Sequence, residues 1–208
     1  MKRLLLPFLV LGSIATLAAA PVSYTVSVDS SSISHSTAGY IEIQFNQANA
    51  NTSLAATASV FNFSATGFTF DHSLDGSLGG VTGSFWAPPV QFDNTVGGSN
   101  YYDAGVTAFG TGFSFVVTLD GAALGTSSTD GSEFFVYLLD TNYSNLLGPD
   151  GTIAAAVTIN GDTTITTNPV SGRSTINSYT ASETPEPSTV LLFGIGGAMV
   201  AIRRRRAA

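Results

Sequence analysis

Cysteine is missing altogether, and the stretch from Pro21 to Thr184 holds a single cation, Arg173. The first absence excludes disulfides, thiol nucleophiles, thiolate-bound zinc and iron–sulfur clusters, so any fold must be held by packing alone. The second bears on partners. Thirteen of the fourteen acidic side chains lie in that same stretch, an excess of twelve negative charges over its one arginine. Affinity for nucleic acid comes largely from Lys and Arg releasing counterions, so nucleic-acid binding is excluded and anionic polysaccharide is repelled. The plain use of such acidity is solubility after export; cation binding is the sharper one.

Helical periodicity is also missing between the two ends, and so is any long apolar run. What fills the space is hydroxyl and glycine: 23 Ser, 23 Thr and 18 Gly between Pro21 and Thr184. These are poor helix formers that favour strands and turns. Apolar residues recur at every second position in Tyr24, Val26 and Val28, in Ile41, Ile43 and Phe45, in Phe113, Phe115, Val117 and Leu119, and in Ile153, Ala155, Val157 and Ile159. Each series predicts a strand with one buried face. "EFFVYLLD" is apolar on both faces and belongs in the middle of a sheet or under another layer. Asp75-Gly76, Asp120-Gly121, Asp130-Gly131, Asp150-Gly151 and Asn160-Gly161 mark turns, the last predicting a two-residue hairpin. A change of phase at Phe61 predicts a bulge or corner. "GSFWAPPVQFDNTVGGSNYYDAG" reads as a long loop, and "STINSYTA" as a weak edge strand.

These patterns predict an all-β protein: a single antiparallel β-sandwich, jelly-roll or immunoglobulin-like, with an N-terminal signal helix and a C-terminal transmembrane helix. The expected organisation is a signal peptide at 1–20, the sandwich at 21–168, an edge strand and linker at 169–184, and a separate tail at 185–208.

Few residues invite chemistry. Asp71-His72-Ser73 imitates a hydrolase triad, but consecutive side chains do not converge, and there is no nucleophile elbow, His-Glu-x-x-His or phosphate loop. No enzyme and no catalytic residue is expected. Asp140, Asn142 and Ser144 imitate the alternating oxygen ligands of a calcium loop, with Asp150 further on. Asn145 stands where the sharp-turn glycine belongs and Gly151 where the bidentate glutamate belongs, so calcium is a minor expectation and no other cofactor is expected. Trp86, Tyr101 and Tyr102, with Phe92 in the same segment, are candidates for stacking on sugar rings, or alternatively for plugging one end of a core.

The ends differ from the body. Lys2 and Arg3 precede an apolar stretch, Leu4 to Leu17, and then small residues, the layout of a secretory signal peptide cut by signal peptidase after Ala18. At the other end Pro185-Glu186-Pro187 is followed by Thr189 to Ile202, which as a helix extends roughly 21 Å against about 30 Å of hydrocarbon. Arg203, Arg204, Arg205 and Arg206 cannot cross, at about 3 kcal/mol each at the bilayer centre, so they act as a stop on the cytoplasmic side. Gly194, Gly196 and Gly197 make this helix thin enough for close approach by another membrane protein.

The order of triplet, short apolar helix and arginine cluster resembles the PEP-CTERM sorting signal read by exosortases. The resemblance implies that an exosortase recognises the tail and processes it near Pro185 to Pro187. It also implies an inner-membrane intermediate, transient membrane contact through the tail helix, and a product at the cell surface or in the extracellular matrix, alongside exopolysaccharide. The expected role is structural or adhesive. A carbohydrate- or calcium-binding module at the surface is the alternative.

Overall fold

Alternating side chains need a second apolar layer to cover their inner face, and the chain supplies it from its own strands. The computed structural model describes residues 19–33, 38–148 and 153–179. Thirteen strands, numbered in chain order, form two antiparallel sheets. The six-stranded sheet runs β13 (Ser174–Ser178), β1 (Val22–Asp29), β9 (Gly112–Asp120), β3 (Thr57–Thr66), β7 (Ala87–Asp93), β6 (Val81–Ser84). The seven-stranded sheet runs β12 (Ile165–Pro169), β11 (Ala155–Ile159), β10 (Ser132–Asp140), β2 (Gly39–Gln47), β8 (Tyr101–Ala108), β4 (Thr69–Phe70), with β5 (Gly76–Leu78) also pairing with β8. Two short 3-10 turns, His72–Leu74 and Ala122–Leu124, are the helical elements among the described residues.

The sheets pack face to face, as in a sandwich. Phe115 of β9 lies 6.0 Å from Phe134 of β10, and Phe92 of β7 lies 6.3 Å from the same ring. Val26, Phe45, Val60, Phe92, Phe134 and Leu138 are all within 1% of complete burial. Each contributes about 1.5–3 kcal/mol by leaving water, and together they stand in for the missing disulfides. Two buried polar side chains are fully engaged: Asn94 accepts from Ala56 N and donates to Leu54 O and Ser132 Oγ, while Ser30 Oγ donates to Gly110 O.

Several sequence expectations meet their structure here. The "EFFVYLLD" run is β10, in the interior of the seven-stranded sheet between β11 and β2. The phase change at Phe61 is a bulge: the β3–β9 register shifts between Phe61 and Ser64, and Asn62 takes a left-handed φ of 55°. Phe61 faces outward, edge-on to Tyr179, and the bulge brings Phe63 inward against Phe85. "STINSYTA" contains β13, an edge strand on β1.

Two expectations are corrected. The segment read as one long loop builds β7 and most of β8, because Val90 and Phe92 alternate with Gln91 and Asp93 and fill the inner face. The proximity of Pro88 and Pro89 hid that alternation. The Asn160-Gly161 hairpin does join β11 to β12, but Ile159 faces Ile165 across a five-residue connection, not a two-residue one. Its left-handed residue is Thr163, at φ 70°, while Asn160 Nδ2 donates to Thr164 O and Asp162 Oδ1 accepts from Thr164 N. Gly161 is needed for close approach, since a Cβ there would lie 2.7 Å from Ser128 O.

The N-terminal signal helix and the C-terminal transmembrane helix fall outside the described residues. Among the described residues no helix is long and apolar enough to cross a membrane.

Candidate functional site

The three aromatics singled out by sequence differ in exposure and in the face they take. Trp86 sits in the turn between β6 and β7, 42% exposed, edge-on to Phe70 at 4.8 Å and to His72 at 4.2 Å. Tyr102 points into the core, 2% exposed, with its ring 4.9 Å from Phe85. Tyr101, its neighbour in β8, necessarily points the other way, to the outer face of the seven-stranded sheet opposite Gln44 and Leu78. The candidate trio therefore does not form one site.

What organises the Trp86 edge is Asp75, which the sequence showed only as half of a turn dipeptide. Its Oδ1 accepts from Gly105 N at 2.9 Å, and its Oδ2 from Trp86 Nε1 at 2.9 Å and Tyr102 OH at 3.2 Å. His72 Nδ1 lies 3.6 Å from the same oxygen. Burial and the nearby Asp75 charge push the Tyr102 phenol well above its usual range. One carboxylate thus pins the short β4 and β5 strands to β8 and fixes the indole plane, leaving part of that ring in solvent. No local pattern announces such a residue, because its donors come from Trp86, Tyr102 and Gly105, distant in sequence.

The outer face of the seven-stranded sheet carries a second cluster. Cross-strand register places Asp103 of β8 beside Glu42 of β2, and Glu42 beside Tyr137 of β10. Asp103 is 2% exposed, and its Oδ1 has no hydrogen-bond partner among the described residues. Burial, then the Glu42 carboxyl beside it, pushes the Asp103 carboxyl up to about 7. Next to this pair, Tyr143 from the β10–β11 connection stacks on Tyr40 of β2, ring centroids 4.9 Å apart and planes 9° from parallel. Tyr143 is 56% exposed and takes a left-handed φ of 61°.

The calcium-like loop is engaged otherwise. Asp140 Oδ1 accepts from Asn142 N at 2.7 Å and Ser144 N at 2.9 Å, and these bonds hold its carboxyl below the usual range. Asp150 lies outside the described residues. Asp140 belongs to a series: Asp29, Asp71, Asp93 and Asp162 each accept the backbone N–H two residues on, and each is held below the usual carboxylate range by that neighbour's hydroxyl and backbone. Much of the acidity thus caps turns at strand ends. Asp71 and Ser73 of the triad-like triplet bond to each other, with Ser73 Oγ donating to Asp71 at 2.6 Å, rather than converging on His72. Among the described residues no group of three or more His, Cys, Asp and Glu is placed to hold a metal ion.

A depression of about 430 Å³ lies beside β1 and β13, lined by Asp29, Thr111, Arg173 and Thr175. The Arg173 guanidinium on its wall donates to Leu147 O at 2.6 Å.

The sorting residues Pro185, Glu186 and Pro187 and the stop Arg203 to Arg206 lie outside the described residues. Residues 183–206 match the family model of the PEP-CTERM protein-sorting motif. The chain is therefore a PEP-CTERM domain-containing protein, with export, membrane passage toward the cell surface and an exosortase as processing partner following from the motif. No curated protein and no solved structure matches the chain.

Proposed function

Because residues 183–206 carry the PEP-CTERM sorting motif, we propose that this is a non-enzymatic exported protein with a structural or adhesive role at the cell surface or in the extracellular matrix. Signal peptidase removes the N-terminal segment, and the tail pauses in the inner membrane with Arg203 to Arg206 on the cytoplasmic side. The exosortase then processes it near Pro185 to Pro187. We read the interleaved order β1-β9-β3-β7 against β2-β8-β4 as jelly-roll rather than immunoglobulin-like. A structural role is supported by where the polar side chains go: five aspartates cap turns and Asp75 pins an edge, so most are engaged within the fold.

The observation that carries this reading is the sorting motif placed after a closed β domain. Its test is localisation with and without residues 184–208, joined to mass spectrometry of the released product. Truncation is expected to abolish surface delivery. A mature protein retaining intact Arg203 to Arg206 would refute processing.

A carbohydrate-binding module is the second reading, favoured by the indole of Trp86, which is exposed yet held in one orientation by Asp75. Binding of the wild type to exopolysaccharide, lost in Trp86→Ala, is the expected result for that reading; identical retention of the variant counts against it.

A further inference from the structure

Resting on the adhesive reading, we propose that the outer face of the seven-stranded sheet binds a neutral polysaccharide chain, with Tyr101, Gln44 and the Tyr40–Tyr143 pair as its contacts. Register builds this face in rows. Leu78, Tyr101, Gln44 and Phe135 lie side by side across β5, β8, β2 and β10. The next row is Asp103, Glu42 and Tyr137, and the one after it Gly105, Tyr40 and Leu139. With strands about 4.8 Å apart, the first row extends ~14 Å, the reach of a short oligosaccharide. Partly exposed rings therefore border Gln44, while Asp103 and Glu42 lie buried between the rows, 2% and 8% exposed; a pyranose presents apolar C–H faces to such rings and hydroxyls to the amide.

The other outer face is built in rows as well. On the six-stranded sheet Ser23, Thr118 and Ser59 form one row and Ser27 and Ser114 stand opposite each other in another. Between those rows Thr25, Val116 and Phe61 form a third, with Tyr179 edge-on to Phe61, so what sets the seven-stranded face apart is the parallel Tyr40–Tyr143 stack. Tyr143 is the strongest sign. A non-glycine residue at φ 61° is strained, and here the strain holds a ring parallel to Tyr40 and still more than half in solvent.

Charge selects among occupants. Glu42 and Glu133 share this outer face by register, and the one cation of the body, Arg173, is bonded to Leu147 O. Uronate or sulfated chains and a second copy of this acidic protein would all bring like charge to it. A neutral glycan brings no charge, and its hydroxyls can donate to the second lone pair of Gln44 Oε1, whose first takes Asn46 Nδ2.

The test is affinity electrophoresis of the full chain in native gels cast with laminarin, dextran or galactomannan, with alginate as the charged arm. Retardation by at least one neutral glycan and none by alginate is expected. Tyr143→Ala and Gln44→Ala should each weaken it about tenfold with unchanged circular dichroism, while Trp86→Ala binds as wild type. Gln44→Ala keeps the test decisive should Tyr143→Ala fail to fold. Migration unaffected by every neutral glycan, retardation by alginate, wild-type binding by both face variants, or loss of binding in Trp86→Ala each overturns the proposal. Export and sorting are read separately by the tail truncation, so either idea can fail without the other.

Discussion

Asp103 offers a sharp quantitative test of how this domain is held together. Its carboxyl is 2% exposed, one of its oxygens lacks a partner among the described residues, and the charged groups acting on it, Glu42 and Asp75, are both acidic. The neutral form is favoured in the folded state, with the carboxyl raised from 3.8 to about 7. Folding therefore takes up a proton between those values, and stability falls as pH rises across that window. Below it the contribution is complete; above it the slope vanishes. Tenfold in proton affinity corresponds to about 1.4 kcal/mol, so the ceiling is about 4 kcal/mol. Local rearrangement of Asp103 and Glu42 lowers the expected loss to about 2–4 kcal/mol, a large part of a typical total of 5–15. In Asp103→Asn the amide donates to Glu42 at every pH, so the variant should match wild type near pH 4.5 and exceed it at pH 7.5. Urea unfolding followed by circular dichroism at several pH values between these limits, with m unchanged, reads the difference. Equal wild-type stability at pH 4.5 and 7.5, or an Asp103→Asn profile parallel to wild type, would refute the reasoning.

Other expectations are simpler to state. Asp29, Asp71, Asp93, Asp140 and Asp162 are depressed in the folded state, so their contribution is present above the ordinary carboxylate range and disappears as pH falls through their folded values. Opposed to Asp103, they place maximal stability on the mildly acidic side of neutrality; a maximum at pH 8 in thermal scans would contradict both. Phe134→Ala removes the ring that meets Phe92 and Phe115 from the facing sheet. It should cost about 3–5 kcal/mol by urea unfolding, and a loss below one would mean the sheets are not held by that contact. Gly161→Ala forces a Cβ to within 2.7 Å of Ser128 O, and a loss of about 1–3 kcal/mol is expected; wild-type stability would show that the turn yields. Removing the indole donor with Trp86→Phe should lower near-ultraviolet circular dichroism and loosen β5, read by faster amide exchange at Gly76 to Leu78, and unchanged exchange would argue that Asp75 alone fixes that edge.

Much of the fold was legible because a period of two is written directly in side-chain polarity. Val26 and Val28, Ile41 to Phe45 and Phe113 to Leu119 are buried where alternation placed them. Alternation became unreadable where backbone geometry interrupts it. Pro88 and Pro89 hid β7, and Thr163, rather than the glycine of the Asn-Gly pair, takes the left-handed position of the β11–β12 turn. The candidate sites fared differently. Trp86, Tyr101 and Tyr102 are near in sequence, yet a strand sends neighbours to opposite faces and a turn sends Trp86 to an edge.

The sequence by itself determined the all-β class, the inward residues of most strands and the sorting tail, because each depends on local order: polarity period, turn dipeptides, and a short motif read linearly. Only the tertiary structure decided which strands are neighbours, and with them the Asp75 hub, the Asp103–Glu42 pair and the Tyr40–Tyr143 stack. Those groupings bring together residues far apart in the chain, and hydrogen-bond register between strands, which no local pattern encodes, sets them side by side.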